Sequence, residues 1–332
     1  MQTPQRADLL PLLAKLHEGN FEAVAQAVFE YQSSNNLLFK KYLKLLGQQE
    51  NRSSLTAHRS IFLPISFFKT HQVQTGIWKS ETEFSSSGTT GQVSSRHLVR
   101  QLNFYLENTR HGFAKFYGDP SDWAVLALLP SYLERGGSSL VAMADFFIQN
   151  SKYAESGFFL NDFKRLKTVL KDCKSKGYKT ILLGVSFALL DFAEQCPMDL
   201  DGVIVMETGG MKGRRREMTR MELHETLQNA FKLESVHSEY GMTELFSQAY
   251  SLGGTRFRPV STMRLVATEL NDPFCPVQPG RTGVLNIIDL ANLDTCSFIQ
   301  TEDLGRVFSD GSFEVLGRAD AAEMRGCNLM VE

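Results

Sequence analysis

Apolar residues recur every three or four positions over most of the first 48 residues. Leu9, Leu13 and Leu16 follow this spacing, and similar patterns begin at Phe21 and after Asn36. Such spacing places apolar side chains on one face of a helix. The pattern therefore predicts an N-terminal helical segment over residues 1–60.

From residue 61 onward, short apolar runs alternate with amphipathic stretches. Short apolar runs are typical of buried strands, and apolar residues at helical spacing are typical of helices. The predicted strands are 123–129, 180–185 and 202–206, and the predicted helices are 138–150, 161–176 and 186–195. Alternating strands and helices indicate a mainly parallel sheet flanked by helices. Residues 61–260 are therefore predicted to form an α/β core.

After residue 260 the helical patterns stop. Three further strands are predicted, at 263–268, 283–289 and 306–316, with a hairpin turn at 309–312. This pattern predicts a small β-rich lobe and tail over residues 261–332. Because no low-complexity linker interrupts the chain, we expect all three parts to pack as one unit.

Composition and charge narrow the class of protein. The net charge of −2 gives no reason to expect a nucleic acid or an anionic membrane as partner. No run approaches the roughly 18 apolar residues of a membrane span, and the N-terminus lacks a secretion signal. The five cysteines are odd in number and never stand in a CxxC pair, which argues against a disulfide framework or a zinc site. These features predict a cytoplasmic protein without a membrane span.

The stretch from Ser85 to Gly91 contains only serine, threonine and glycine. Glycine tolerates the positive φ angles that turn several backbone amides toward one anion, and hydroxyls add donors without bulk. A helical pattern that begins near Leu98 is predicted to aim its N-terminus at the same place. The stretch therefore predicts a phosphate-binding loop, although it lacks the Gly-Lys-Ser/Thr ending of a Walker A loop. From composition alone, a surface loop remains an equal alternative.

Four short motifs stand in a fixed order between residues 85 and 320. They are SSGTTG at 86–91, YGMTE at 240–244, TEDLG at 301–305 and GRAD at 317–320. In this order they resemble the phosphate loop, the Tyr-Gly-x-Thr-Glu motif, the Thr-Gly-Asp-Leu-Gly segment and the Gly-Arg-x-Asp segment of the adenylate-forming superfamily. This superfamily includes acyl-CoA synthetases and luciferases.

Further segments narrow the resemblance. LPSYL at 129–133, ETGGMKGRR at 207–215, SEYGMTEL at 238–245 and RGCNL at 325–329 are similar to the short branch that contains the acyl-protein synthetase of bacterial luminescence. The resemblance extends from about residue 60 onward. It implies ATP-dependent activation of a carboxylic acid, a fatty acid in this branch, to acyl-AMP and transfer to a thiol. An acyl reductase or an acyl-carrier protein is the implied partner. An aryl-acid or phenylacetate-type CoA ligase, and a nucleotide- or acyl-binding module without turnover, remain alternatives.

The resemblance also implies roles for individual residues. The loop would hold the β- and γ-phosphates of ATP through Ser85, Ser86, Ser87, Gly88, Thr89, Thr90 and Gly91. Thr243 would contact the α-phosphate, and Glu244 would hold Mg²⁺, a hard cation that prefers oxygen ligands. The remaining nucleotide contacts would come from Tyr240, Gly241 and the backbone of Gly209 and Gly210 along the adenine, from Asp303 on the ribose hydroxyls, and from Arg318 near the ribose or phosphates. Any one of these residues taken alone fits a structural role better than a functional one, and only the joint order of the motifs favours function.

Two departures from the family pattern stand out. The family loop continues to a lysine, whereas here Gly91 is followed by Gln92-Val93-Ser94-Ser95. Replacement cations are Arg96, His97 or the basic run at 212–216, which is equally compatible with a solvated helix start. In addition, only twelve residues follow Asp320. The mobile C-terminal domain of the family, with its essential lysine, is therefore expected to be missing from this chain.

Cys327 is the candidate acyl acceptor. It matches the position at which acyl-protein synthetases carry their acceptor cysteine, and Arg325 would favour its reactive thiolate. Coenzyme A is the alternative acceptor, and a buried structural thiol is the alternative role for Cys327. The other four cysteines, Cys173, Cys196, Cys275 and Cys296, are predicted to be structural.

Overall fold

The computed structural model describes residues 3–47, 61–86, 93–130, 137–209 and 218–318. Within these residues the α-helices are α1 (Arg6–Ala14), α2 (Phe21–Asn35), α3 (Leu37–Leu45), α4 (Phe67–Thr70), α5 (Leu102–Tyr117), α6 (Ser139–Asn150), α7 (Phe163–Ser175), α8 (Ser186–Gln195) and α9 (Arg220–Phe231). The strands are β1 (Leu63–Pro64), β2 (Thr82–Ser85), β3 (Arg96–Val99), β4 (Ala124–Leu128), β5 (Gly157–Phe158), β6 (Thr180–Val185), β7 (Val203–Thr208), β8 (His237–Tyr240), β9 (Ala249–Ser251), β10 (Arg256–Pro259), β11 (Met263–Thr268), β12 (Thr282–Asp289), β13 (Phe298–Val307) and β14 (Phe313–Arg318).

One large sheet runs through the molecule in the order β5-β4-β6-β7-β8-β9-β10-β14-β13-β12-β11, with β1 added beside β13. The strands from β5 to β8 are parallel, and those from β9 onward pair antiparallel. All residues of β4 and β6 are buried, as their continuous apolar runs require. The predicted α/β fold, with N-terminal helices, a parallel core and a β-rich C-terminal part, is confirmed. The boundaries at residues 60 and 260 remain predictions.

Helices cover both faces of the parallel part. On β8, successive side chains point to opposite faces. Glu239 lies opposite Tyr250 of β9, whose ring packs near Phe113 of α5. The preceding residue, Ser238, contacts His224 of α9 at 3.2 Å. The sheet is therefore enclosed between α5 on one face and α9 on the other.

The N-terminal helices are attached to the β-rich part by a buried amide. Gln32 of α2 donates to the carbonyl oxygens of Asn292 and Leu293, and its own carbonyl accepts from the backbone of Ser297. Asn36 caps α3 by accepting from the backbone of Phe39 at 2.9 Å. The predicted helical segment thus contacts the loop between β12 and β13.

The region near Leu98 differs from the prediction. It forms β3 rather than the start of a helix, and it pairs antiparallel with β2, with Ser85 opposite Arg96. Phe84, His97 and Val99 turn inward and are buried. Helix α5 begins only at Leu102. The prediction of a helix N-terminus aimed at the loop is therefore wrong, because a strand pairing invisible to local periodicity forms instead.

The hairpin turn predicted at 309–312 is confirmed. The backbone and the hydroxyl of Ser312 both donate to Asp310, and Gly311 has a φ of 77°. The turn divides the single strand predicted at 306–316 between β13 and β14.

The sheet curls strongly between β8 and β13. Three strands, β9, β10 and β14, separate them in the hydrogen-bonded order. In a flat sheet this separation would be roughly 19 Å, at about 4.8 Å per strand. The Tyr240 hydroxyl on β8 nevertheless donates to Asp303 on β13 at 2.8 Å. The intervening rings of Phe257 and Phe313 stack on each other inside the curl.

The described part of the chain contains no helix with the length and apolar character needed to span a membrane.

Candidate functional site

Two parallel strands end side by side at the proposed adenine position. Thr208 and Glu239 are register partners, so Gly209 and Tyr240 follow at the same edge of the sheet. Gly209 has a φ of 69°, and its carbonyl accepts from the Ser186 hydroxyl at the start of α8. The motif residues Gly209 and Tyr240 are therefore neighbours, as the nucleotide hypothesis requires. Gly210 lies outside the described residues.

Tyr240 and Asp303 meet although 63 positions separate them in sequence. The Tyr240 ring is buried against Phe257 and Phe313, with ring centroids 5.7 and 5.3 Å away. Burial, together with the neighbouring Asp303 carboxylate, raises the pKa of Tyr240 well above its usual value. The phenol therefore stays a protonated hydrogen-bond donor. Asp303 also lies opposite Arg318 in the β13–β14 pairing, which brings three predicted site residues together.

Thr243 and Glu244 lie on the turn that follows β8. Thr243 is half-buried, whereas the Glu244 side chain is buried with 6% exposure. Burial raises the pKa of Glu244; the Ser95 hydroxyl and the charges of Lys69 and Arg318 act in the opposite direction. Gly241 is exposed, and a Cβ at this position would lie 2.5 Å from the Glu239 carboxylate, so a larger residue there would have to displace that carboxylate. The turn thus presents its motif residues beside two cations.

His97 holds this turn from inside the protein. Its Nδ1 lies 2.8 Å from the carbonyl oxygen of Thr243, and its Nε2 lies 2.9 Å from the Thr295 hydroxyl. The imidazole is fully buried and stacks on Phe246. Burial lowers the pKa of His97 to about 4, so the ring is neutral at pH 7. The suggestion that His97 replaces the missing lysine of the phosphate loop is therefore wrong.

Two residues of the loop after β12 hold the other side of the turn. Asn292 donates to the Glu244 carbonyl at 2.7 Å and accepts from the Phe246 backbone at 3.0 Å. Asp289 accepts from the backbone of Phe246 and Ser247 at 2.8 and 2.9 Å, and from the Ser247 hydroxyl. Nothing in the sequence near Asp289 or Asn292 indicated this role. The backbone of the turn is therefore fixed by buried side chains from distant segments.

Only the base of the proposed phosphate loop is described. Ser85 donates from its backbone to the Gly137 carbonyl at 2.8 Å. Ser86 and Ser95 exchange two hydrogen bonds, Ser86 N–H to the Ser95 carbonyl and Ser95 N–H to the Ser86 hydroxyl. The Ser95 hydroxyl also lowers the pKa of Glu244, so the base of the loop lies next to the turn after β8. The rest of the loop, Ser87, Gly88, Thr89, Thr90 and Gly91, lies outside the described residues.

The candidate cations near this loop have different environments. Arg96 makes a bidentate contact with Glu83 at 2.8 and 2.7 Å on the outer face of the β2–β3 ribbon. Its charge is therefore already compensated. Arg318 forms an ion pair with Glu302 and is exposed. The basic run at 212–216 lies outside the described residues.

Two buried carboxyls next to the site were not predicted. Burial raises the pKa of Glu239 to about 7, against the hydrogen bond from the Thr208 hydroxyl. Glu207, on the opposite face, also experiences burial, but His224 and Arg220 outweigh it and lower its pKa. Arg220 contacts Glu207 at 3.2 Å. The set of polar groups at the ends of β7 and β8 is thus larger than the predicted site residues alone.

The residues around Glu244 fit a magnesium ion carried in by ATP. Magnesium is usually bound by one or two carboxylates together with substrate phosphates. The described residues contain no group of three histidines, cysteines or acidic residues that could hold a resident metal. Glu244, with the half-buried Thr243 beside it, supplies one carboxylate. A single carboxylate suits a magnesium ion that is held jointly by the protein and the substrate phosphates.

The cysteines divide by burial. Cys173, Cys196 and Cys296 are buried, and Cys275 is exposed. Burial raises the pKa of Cys296 to about 12, so it is an inert thiol. Cys327, the candidate acyl acceptor, lies outside the described residues.

Two cavities in the described part of the chain are lined by none of the residues predicted to bind the nucleotide. One, of about 340 Å³, lies along the outer face of the β2–β3 ribbon and is lined by residues that include His71, Trp78 and Arg96. The other, of about 10 Å³, is enclosed by apolar side chains and Tyr250. Since a single water molecule needs at least about 10–15 Å³, this second cavity does not hold an acyl chain in the described conformation.

This chain is similar to known proteins in its three-dimensional structure. No protein-family model and no curated protein matches the chain. The chain is similar to 2-hydroxyisobutyryl-CoA ligase in the postadenylation state with 2-HIB-AMP, with a TM-score of 0.68 and 13% identity over 91% of this chain and 69% of that chain. It is also similar to ATP-bound MatB from Rhodopseudomonas palustris, with a TM-score of 0.54 and 15% identity over 71% of this chain and 48% of that chain.

These likenesses concern the fold. The chain spans about half the length of MatB, and both identities are low.

Proposed function

We propose that this chain is the nucleotide-binding part of an AMP-forming ligase that uses ATP to activate a carboxylic acid. The observation that carries the proposal is the convergence of separate motifs on one place. The Tyr240 hydroxyl donates to Asp303, and Asp303 lies opposite Arg318 in the β13–β14 pairing. The charge of Arg318 and the hydroxyl of Ser95, at the base of the loop, both lower the pKa of the buried Glu244. The likeness in fold to two ligases, one with ATP and one with an acyl-adenylate, supports the same function.

The proposed nucleotide position follows from this arrangement. Adenine lies along Tyr240 and the Gly209 edge, where the two parallel strands end. Asp303 accepts hydrogen bonds from the ribose hydroxyls, which suits a carboxylate with two acceptor oxygens. Thr243 contacts the α-phosphate, and Glu244 holds Mg²⁺. The loop from Ser85 to Gly91 holds the β- and γ-phosphates.

The first step joins two anions. The substrate carboxylate oxygen attacks the α-phosphorus, the bond to the bridging oxygen breaks, and pyrophosphate leaves with that electron pair, so that acyl-AMP forms. Mg²⁺, when bound with ATP, neutralises phosphate charge. The protein's own contribution is to fix the Thr243–Glu244 turn, which His97 and Asn292 hold in one geometry. Such fixed positioning supplies much of the catalysis in phosphoryl transfer.

We further propose a fatty acid as substrate and a protein thiol as acceptor, as in acyl-protein synthetases. In this second step the thiolate sulfur attacks the acyl carbonyl carbon and AMP leaves, which yields a thioester. Cys327 is the proposed acceptor, and an acyl reductase or an acyl-carrier protein is the proposed partner. Coenzyme A is the alternative acceptor, which would make the protein an acyl- or aryl-CoA ligase.

Pyrophosphate release tests the first step. With ATP and Mg²⁺, a panel of fatty, aryl and small carboxylic acids should contain at least one that triggers release. Replacement Glu244→Gln should lower that release by at least about 100-fold, because it removes the proposed metal ligand. The matched control Glu234→Gln changes an exposed carboxylate and should have no effect.

The same assay separates the alternatives. If ATP binds and no acid in the panel releases pyrophosphate, the ligase proposal fails and a binding module is left. A product that forms only with coenzyme A identifies a CoA ligase. A hydroxylamine-sensitive acyl label on the protein, lost in Cys327→Ser, identifies the acyl-protein route.

A further inference from the structure

Glu207 of β7 is a buried carboxylate beside the proposed adenine position. Its side chain is 3% exposed, and the Ser186 hydroxyl lies 3.2 Å from both a Glu207 oxygen and the Gly209 carbonyl. In the pairing of β7 with β8, Glu207 lies opposite Ser238, two residues before Tyr240. Because side chains alternate between the two faces of a sheet, Glu207 and Tyr240 point to the same face.

Arg220 lies across this face from the first turn of α9. Its Nε lies 3.2 Å from a Glu207 oxygen, and its guanidinium carbon lies 4.4 Å from the centroid of the Phe257 ring on β10. The Phe257 ring in turn packs against the Tyr240 ring, with centroids 5.7 Å apart. Two contacts therefore hold the guanidinium, one beside each of the two groups along which adenine is proposed to lie.

The protein uses only part of the hydrogen-bonding capacity of Arg220. Among the described residues, Nε donates to Glu207 and neither Nη group has a hydrogen-bond acceptor. The Arg220 side chain is 22% exposed, although the carboxylate that holds it is buried. A guanidinium carries donors only. Two of its donor groups are therefore available to a ligand that presents acceptors.

We propose that Arg220 donates a hydrogen bond to a ring nitrogen of adenine and so contributes to recognition of the base. The inference rests on the proposed nucleotide position and adds to it a residue outside the four motifs. Adenine presents acceptor nitrogens at its ring edges, and the flat guanidinium donates in fixed directions. Glu207 is the positioning residue, because it holds Nε and leaves the Nη groups for the base.

Binding of ATP analogues tests this contact. In 1-deaza-, 3-deaza- and 7-deaza-ATP, one ring nitrogen is replaced by a C–H group that accepts no hydrogen bond. One of the three should bind the original protein about 10-fold more weakly than ATP, because a charge-assisted hydrogen bond is lost. Arg220→Met should bind that analogue and ATP within about threefold of each other. Equilibrium dissociation constants give this discrimination directly.

Arg220→Lys separates the base contact from the ion pair. Its ammonium can still pair with Glu207, but all of its donors lie on one atom, so it should lose the discrimination as Arg220→Met does. The matched control is Arg258→Met. It removes an exposed arginine that follows Phe257 on β10 and points to the opposite face, and it should keep the full discrimination.

Two results would overturn the proposal. In the first, none of the three analogues binds the original protein more weakly than ATP. In the second, the discrimination is the same in Arg220→Met as in the original protein. Weakening of ATP and all three analogues by one common factor belongs to this second result, and it would assign Arg220 to the phosphates or to the stability of the fold.

Failure of this inference is distinguishable from failure of the proposed function. If an acid triggers pyrophosphate release and the discrimination does not depend on Arg220, only the role of Arg220 is wrong. If the discrimination depends on Arg220 and no acid triggers release, the ligase function is wrong and the base contact stands.

Discussion

At the scale of single residues, burial fixes the protonation of two side chains of the candidate site. Tyr240 is held as a donor, with its hydroxyl donating to Asp303, and His97 is held as a neutral ring. Each of these groups has a hydrogen-bond partner that matches its protonation state. Near pH 7, these side chains can therefore bind a ligand without a change in their own protonation.

Glu239 is the exception, and it gives a prediction about pH. Its pKa is raised from 4.5 to about 7 by burial, so between these values the folded state holds a proton that the unfolded state has lost. Its contribution to stability is full below about pH 4.5 and is lost as pH rises to about 7, an effect of about 3 kcal/mol at most. Replacement Glu239→Gln keeps a neutral side chain that can still accept from Thr208, and it should remove this loss.

The measurement is the difference in free energy of unfolding between Glu239→Gln and the original protein, followed from pH 4.5 to 8 by denaturant titration. The difference should grow in favour of the variant up to about pH 7 and then level off. His97 has the opposite sign, because its lowered pKa removes stability as pH falls from 6.5 to about 4. The contribution of His97 is the same in both proteins, so it cancels when their free energies of unfolding are subtracted. The exposed control Glu225→Gln should give a flat difference; a flat line for Glu239→Gln as well would show that Glu239 ionises normally.

At the scale of elements, the Thr243–Ser247 turn depends on segments far away in the chain. Asn292 makes three hydrogen bonds in the interior, to the Glu244 carbonyl, the Phe246 backbone and the Cys296 carbonyl. The motif is therefore only as well positioned as the loop between β12 and β13.

Replacement Asn292→Ala tests this dependence. It leaves buried backbone groups without partners and should lower the free energy of unfolding by about 2–3 kcal/mol. Acid-dependent pyrophosphate release should fall by about tenfold, because the turn that carries Glu244 loses its support. Asn150→Ala removes an exposed amide at the end of α6 and should stay within about 0.5 kcal/mol of the original protein. Equal behaviour of the two variants would contradict the assigned support.

The parallel core could be predicted from the sequence because its strands are continuous apolar runs between amphipathic helices. The β2–β3 ribbon could not, because Arg96, His97 and Leu98 show no strand pattern of their own. Their conformation follows from pairing with β2 and from the burial of His97 under the turn. Local periodicity carries no information about such partners.

The motifs identify only part of the candidate site. The motifs named Tyr240, Glu244, Asp303 and Arg318, and the structure brings these four residues together. The residues that support the turn, such as His97 and Asn292, belong to no motif. They contact the turn from segments 146 and 48 positions away along the chain, and a single sequence does not reveal such contacts.

At the scale of the whole molecule, the parallel and antiparallel strands form one continuous hydrogen-bonded ladder, and the proposed nucleotide position lies where that ladder turns back on itself. The two motif strands β8 and β13 belong to the two parts of the sheet. A ligand that contacts Tyr240 and Asp303 therefore holds both parts at once.

The curl between β8 and β13 has a consequence for amide hydrogen exchange. Adenosine that bridges Tyr240 and Asp303 would close a ring through β9, β10 and β14, so that opening any of these strands also breaks the ligand contacts. Backbone amides of β9 and β10, which carry no predicted site residue, should then exchange more slowly when adenosine is bound, whereas those of α7 should not change. Slowing confined to β8 and β13 would mean that the intervening strands open independently. Binding of one adenosine would thus be measurable as the shared protection of a whole run of strands.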